Sequence, residues 1–221
     1  MTTLRFSRTQ QAMMVAPAVL LVTMALAFRQ LTDRFGFPSG YLMAFVLYWA
    51  VWCGAVPAAV LGWHRAVRLF GASAPQFKTL DLKTHALLWS PLVFPLMFTF
   101  VPRVATAGSR IVVVSVVLGL VIGVAEELLW RGVYIALFPN NWWLNLIYPS
   151  VAFGLWHLCP LTALPSRYPG GAATFVAYSI ALGLAYATCA RRTRSIFWCT
   201  VSHCIHDSLG LGGFAYLVWL K

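Results

Sequence analysis

The chain has 221 residues, of which 61% are hydrophobic and 10% charged, and its mean hydropathy is +0.78. So few charged side chains cannot form the surface of a soluble domain, and the composition predicts an integral, multi-pass membrane protein. The 16 Lys and Arg outnumber five acidic residues, for a net charge of +11, but the bases are scattered between apolar runs. Nucleic-acid binding needs a contiguous basic face, so we expect no nucleic-acid partner, and we expect basic loops that meet anionic lipid headgroups.

The apolar runs predict an all-α bundle of about seven to eight transmembrane helices. The expected spans are 12–28, 41–63, 84–101, 111–138, a fifth that ends near residue 158, 172–190 and 195–209. An A-x-A pattern at the end of the first run resembles a signal-peptide cleavage site, but the run is long for a signal core and more spans follow. We therefore interpret it as a membrane helix. The whole chain, 1–221, is expected to be a single transmembrane domain with its motif-bearing core at 111–209.

Proline and glycine modify several of these elements. Pro57 predicts a kink in the second span, and Pro91 with Pro95 predicts a bent third span. The loop at 64–83 carries four bases and is expected to be irregular or interfacial. The pattern does not decide whether 210–220 crosses the membrane.

The distribution of bases favours a cytoplasmic N-terminus. With that orientation nine bases lie inside and five outside, and positive charge is enriched on the cytoplasmic side. The inner set is Arg5, Arg8, the four bases of 64–83, Arg191, Arg192 and Arg194, and the outer set is Arg29, Arg34, Arg103, Arg110 and Arg167. The expected location is a bacterial-type inner membrane.

Two adjacent glutamates and an arginine interrupt the fourth apolar run. A charge at the centre of a membrane helix costs roughly 2.5–3.5 kcal/mol on insertion scales. Glu127 and Arg131 are four residues apart and share a helix face, so they are expected to form an ion pair. Glu126 points about 100° away. It is left as an unpaired carboxylate that predicts a polar cavity.

Polar groups on two further spans complete a candidate catalytic site. His157 ends the fifth span, and His203 and Asp207 share one face of the seventh, whereas His206 points off that face. A carboxylate that accepts a proton from water, with imidazoles that stabilise the developing oxyanion, is what peptide hydrolysis inside a membrane requires.

Three motifs in these spans resemble the CPBP intramembrane proteases, the group that includes the type II CAAX prenyl endopeptidases and bacteriocin-processing proteins. The motifs are E-E-x-x-x-R at Glu126, Glu127 and Arg131, F-x-x-x-H at Phe153 and His157, and H-x-x-x-D at His203 and Asp207. The resemblance covers about 85 residues, 123–207. It implies a bundle of about eight helices and a glutamic-type endopeptidase that cleaves a membrane-associated protein or peptide near its C-terminus.

The resemblance also implies roles for individual residues. Glu126 would be the base, His157 its partner on the water, and His203 with Asp207 the oxyanion-stabilising pair. The sequence departs from the family at 207, where many members have Asn. As a carboxylate, Asp207 would orient His203 and hold it protonated; as a neutral acid it would donate directly to the oxyanion. We favour the carboxylate, on the expectation that Arg131 is committed to Glu127 and leaves His203 as the counter-charge.

Two other functional classes remain open. Glu126, His157, His203 and Asp207 also form a plausible N/O ligand set for zinc, so zinc is a possible cofactor although the glutamic mechanism needs none. A non-enzymatic membrane scaffold or immunity-type protein is the other alternative. The presence of all three motifs argues against it.

Overall fold

The computed structural model describes residues 6–211 apart from 72, 73, 167 and 169. Nearly all of the described residues are helical, and no strand occurs among them. The prediction of an all-α membrane protein is confirmed. The undecided segment 210–220 lies almost entirely outside the described residues.

Helix α1 covers Arg8–Phe35 and contains the first predicted span. It begins with a capping box, in which the Ser7 hydroxyl accepts from the backbone N–H of Gln10 and the Gln10 side chain accepts from the backbone N–H of Ser7. These bonds satisfy donors that a helix start otherwise leaves unpaired. The helix therefore begins before the apolar run and ends seven residues after its predicted end at Phe28.

The second span is one helical run with a wider middle section. Helix α2 (Ser39–Leu47) continues through the π-helical segment Tyr48–Ala55 into α3 (Val56–Leu61). The π-helical turns come directly before Pro57, which lacks a backbone N–H and crowds the preceding turn. The expected irregularity at this proline thus takes the form of a π-helical segment.

Helix α4, Trp63–Gly71, occupies the first half of the predicted basic loop. Its Ala66 is fully buried, whereas Trp63, Arg65 and Arg68 are exposed. The expectation of irregular backbone is therefore wrong for this part of the loop. Bases and a tryptophan on the exposed face of a short helix are typical of an interfacial position.

Asp81 caps the next helix and joins it to the sixth span. Its carboxylate accepts from the backbone N–H of Thr84 at 2.8 Å and forms an ion pair with Arg192. Hydrogen bonds from Thr84 lower the pKa of Asp81 to about 2.

The third and fourth predicted spans form an almost continuous helical run. Helix α5 (Leu82–Pro95) passes through the π-helical segment Leu96–Phe100 into α6 (Val101–Glu127). The run breaks at Gly108, where φ is 75° and ψ is 165°, a conformation that glycine adopts without a steric penalty. The turn between the two spans is thus confined to one residue, where the sequence predicted a longer loop.

The motif-bearing end of this run is also π-helical. After Glu127 the helix widens over Leu128–Val133, the segment that carries Arg131, and it ends as α7 (Tyr134–Leu137). Single π-helical turns inside α-helices occur frequently at functional sites.

The remaining helices follow the predicted order with similar bounds. They are the π-helical segment Trp143–Ile147 with α8 (Tyr148–Trp156), α9 (Leu158–Leu161), α10 (Gly171–Thr193) and α11 (Phe197–Leu209). Four helical runs of the described chain are long and apolar enough to cross a membrane: Arg8–Phe35, Ser39–Leu61, Leu82–Leu137 and Gly171–Thr193. With 13 residues, α11 measures about 20 Å, less than the roughly 30 Å hydrocarbon core of a bilayer.

Glycines allow α6 and α11 to pack with their backbones in contact. A Cβ at Gly123 would lie 2.6 Å from Cys204 Sγ and 2.7 Å from its backbone N, and one at Gly119 would lie 2.4 Å from Ser208 Oγ. Small residues serve this purpose in membrane helix pairs. The close packing holds the motif residues of α6 opposite those of α11.

Gly123→Ala should force α6 and α11 apart, because its Cβ would overlap a backbone atom as well as a side chain. We expect a loss of about 1–3 kcal/mol in stability, the usual cost of overpacking. Thermal unfolding of the purified protein in detergent measures this. Gly71→Ala is the control, since no atom lies within 4 Å of its added Cβ. Equal stability of the two variants would contradict the close packing.

Candidate active site

A cavity of about 550 Å³ lies between the helices, with walls from α2, α5, α6, α8, α9, α10 and α11. Most of its lining residues are aromatic or aliphatic. Five lining residues carry acidic or imidazole groups: Glu126, His157, His203, His206 and Asp207. All four residues predicted to be catalytic therefore line a single cavity.

Glu126 is 3% exposed and held by an aromatic pair. The indole N–H of Trp156 donates to its Oε1 at 3.3 Å, and its Oε2 lies 3.8 Å from His203 Nε2. The Trp156 ring stacks on Tyr48 with their centroids 3.7 Å apart. One carboxylate oxygen is thus fixed by a packed indole, and the other lies beside the imidazole.

Glu127 is fully buried and bridges two helices. Its Oε1 lies 3.0 Å from Arg131 Nη1 on its own helical run and 2.8 Å from His203 Nδ1 on α11. An ionised carboxylate only accepts hydrogen bonds, so Nδ1 of His203 carries the proton in this bond. The Nε2 atom of the same ring is directed to Glu126 and Asp207.

Aromatic rings surround the buried Arg131 guanidinium, which is 1% exposed. Its Cζ lies 4.4 Å from the centroid of Phe153 and 5.7 Å from that of Tyr186, within range for cation–π attraction. Arg131 forms an ion pair with Glu127, but the two groups are not oriented for a hydrogen bond. Charge pairing and ring faces together therefore accommodate this arginine inside the bundle.

His157 follows the last residue of α8, and its ring is oriented by its own helix. Its Nδ1 lies 2.9 Å from the carbonyl oxygen of Phe153. A carbonyl oxygen only accepts, so Nδ1 is the donor, and Nε2 remains for the cavity. Phe153 and Phe175 contact the ring edge to face, with centroid distances of 4.8 and 5.0 Å.

Asp207 contacts two histidines. Its Oδ2 lies 3.5 Å from His203 Nε2, and its Oδ1 lies 3.1 Å from His206 Nδ1, whose Nε2 is 2.8 Å from the Tyr178 hydroxyl. Arg131 pairs with Glu127 as expected, and Glu127 also makes a shorter contact with His203, so Asp207 is one of two carboxylates close to that ring. His206 lies off the 203/207 face and also lines the cavity.

The histidines of the cavity bear on the zinc alternative. Within the described ranges, no group of three or more His, Cys, Asp and Glu side chains is arranged to hold a metal ion. Nδ1 of His203 is engaged by Glu127 and Nδ1 of His157 by a backbone carbonyl, so the Nε2 atom of each ring faces the cavity. Ligating histidines are commonly held in this way, so the choice between the glutamic mechanism and zinc rests on a metal analysis.

Sequence reasoning missed several contacts of the site. Trp156 could have been suspected from its position beside His157. Tyr48 had no such signal, because it is 78 residues from Glu126 in the chain. Tyr186, which lies near both Arg131 and His203, was noted only as part of a span.

Glu127→Gln should destabilise the fold, because it leaves Arg131 buried without a counter-charge and weakens the bond to His203. Breaking one partner of a buried pair costs about 3–5 kcal/mol. Thermal unfolding in detergent measures the loss, with Arg131→Gln and the double variant as comparison. We expect the double variant to lose less than the sum of the two single losses. If the stability losses of the two single variants add up in the double variant, the interaction between Glu127 and Arg131 contributes nothing to the stability of the fold.

The comparisons with known proteins agree with the motifs. Residues 108–209 match the model of the Rce1-like family, described as type II CAAX prenyl endopeptidase Rce1-like. No curated protein and no solved structure matches the chain. The matched range contains all three motifs, and the resemblance to the CPBP and CAAX proteases is confirmed.

Proposed function

We propose, from the match of residues 108–209 to the Rce1-like family of CAAX proteases, that the chain is a glutamic-type intramembrane endopeptidase. It would cut a membrane-associated protein or peptide near its C-terminus. The family makes it a protease in general terms. The finer proposal is carried by one observation, the position of Glu126, His157, His203 and Asp207 around one largely apolar cavity.

Glu126 activates the water. It is the acid of the α6 pair that lines the cavity, and it is free of the ion pair that engages Glu127. Its carboxylate takes a proton from water as the hydroxide oxygen adds to the substrate carbonyl carbon. The same carboxyl group then gives that proton to the leaving amine as the C–N bond breaks. The indole N–H of Trp156 fixes the carboxylate during both transfers.

His157 orients the water. Because its Nδ1 donates to the Phe153 carbonyl, the neutral ring presents the Nε2 lone pair to the cavity. A water held between this lone pair and the Glu126 carboxylate has both of its protons engaged. Its oxygen lone pair is then directed to the substrate carbonyl carbon.

His203 and Asp207 stabilise the oxyanion. Glu127 accepts from Nδ1 of His203, and Asp207 lies 3.5 Å from Nε2, so the surrounding carboxylates favour a ring protonated at both nitrogens. The Nε2–H group is then the donor for the developing negative charge. In this arrangement Asp207 acts as a carboxylate that helps to hold His203 charged, and His206 fixes Asp207 from the other side.

Glu126→Gln should give a folded protein without turnover, because an amide cannot accept the proton. Loss of a general base usually costs at least about 10²-fold in rate. The measurement compares the C-termini of membrane proteins in cells that carry the unaltered chain, this variant or no copy. A peptide that ends in S-farnesylcysteine and three further residues provides the assay in vitro.

Asp33→Asn is the matched control, since it removes an exposed acid of α1 that does not line the cavity. We expect it to cleave at the normal rate. Near-normal cleavage by Glu126→Gln would overturn the assignment of the base. Identical C-termini with and without the unaltered chain would contradict protease function and favour the scaffold alternative.

Removal of metal separates the glutamic mechanism from the zinc alternative. Activity should survive dialysis against a strong chelator, and elemental analysis should find well under one zinc per chain, because the proposed site holds its water with Glu126 and His157. Stoichiometric zinc whose removal abolishes cleavage, and whose return restores it, would establish a metalloprotease instead.

A further inference from the structure

The charged residues of the cavity are unevenly placed. Glu126 and Asp207 lie in the polar cluster, where His203 is close to both. Arg103 is the only arginine or lysine among the described residues that line the cavity. It belongs to the beginning of α6, before the break at Gly108, whereas the two glutamates lie at the end of that helix.

Arg103 is accessible and is held at the rim of the cavity. Its side chain is exposed, whereas that of Arg131 is 1% exposed. Its Nη1 donates to the carbonyl oxygen of Phe98 in the preceding π-helical segment, and both residues line the cavity. Among the described residues no carboxylate lies within ion-pair distance of Arg103. The remaining N–H groups of the guanidinium are therefore available to an incoming anion.

The cavity has the depth to hold a short peptide tail. Leu118, Ile122 and Glu126 line it along one face of α6. The eight residues from 118 to 126 rise about 12 Å. Three extended residues cover roughly 10 Å. Three residues past the scissile bond would thus extend along this face from Glu126 to about Leu118. Arg103 precedes the break at Gly108, and its side chain lines the same cavity.

Such a chain end carries a negative charge into apolar surroundings. The walls near the rim include Phe94, Leu161 and Leu164, none of which can pair with a carboxylate. A carboxylate buried without a partner is strongly disfavoured, and a guanidinium with parallel N–H donors is its best-matched partner. We propose that Arg103 binds the C-terminal carboxylate of the substrate. This inference rests on the proposed protease function.

The test uses two peptides that differ only at the chain end. Both end in S-farnesylcysteine and three further residues, one as the free acid and one as the C-terminal amide. The full chain, reconstituted in vesicles, should cleave the acid with a kcat/KM roughly 10- to 100-fold higher than the amide, as expected for a charge-assisted pair. Arg103→Gln should bring this ratio close to one by raising KM for the acid, and Arg103→Lys should recover part of it.

Arg29→Gln is the matched control, because Arg29 is exposed, lies on the same predicted side of the membrane and does not line the cavity. It should keep the preference for the acid. An unaltered acid-to-amide ratio in the Arg103→Gln variant would overturn the inference. An equal loss of kcat/KM on both peptides would also overturn it, and would indicate that Arg103 contacts lipid headgroups or stabilises the fold. If the unaltered chain cleaves neither peptide, that result would contradict both this inference and the proposal that the chain cleaves prenylated C-termini. Equal cleavage of both would contradict the inference alone.

Discussion

A single buried oxygen, Oε1 of Glu127, organises the charged centre of this protein. It lies 3.0 Å from Arg131 and 2.8 Å from His203, so it neutralises a charge of its own helical run and orients a ring on α11. Unpaired charges at membrane depth are costly, so these groups must remain together. The pairing requires α6 and α11 to approach closely, and Gly119 and Gly123 permit that approach. The direction of His203 Nε2, and with it the geometry of the candidate site, depends on this oxygen.

Phe153 links the charged centre to the cavity. Its ring lies 4.4 Å from the Arg131 guanidinium and makes edge-to-face contacts with His157 and His203, at centroid distances of 4.8 and 6.0 Å. Its backbone carbonyl accepts from His157. One residue thus supports the arginine through its ring face and fixes the tautomer of a histidine through its backbone. This explains physically why a phenylalanine four residues before the histidine belongs to the motif.

Apolar runs predicted most of the helices, and helical periodicity predicted which polar side chains share a face, because spacing along one helix decides this. The Glu127–Arg131 pair and the placement of Glu126 in a cavity followed from this rule. The contacts between helices could not be predicted in this way, because they depend on how the helices pack. Examples are the hydrogen bond from His203 to Glu127 and the stacking of Tyr48 on Trp156. The helix at 63–71 was missed for a different reason, because nearby Gly, Ser and Pro residues obscured a short amphipathic segment.

The central claim is that Glu126 acts as a base on water and not as a nucleophile. A single turnover in water enriched in the heavy oxygen isotope, with enzyme in excess over peptide, tests it by mass spectrometry of the product and of the peptide that contains Glu126. Direct attack by water predicts one heavy oxygen in the new C-terminal carboxylate and none in Glu126. If the heavy oxygen appears in Glu126 and is absent from the product of the first turnover, the reaction passes through an acyl intermediate on this residue, and the account is contradicted.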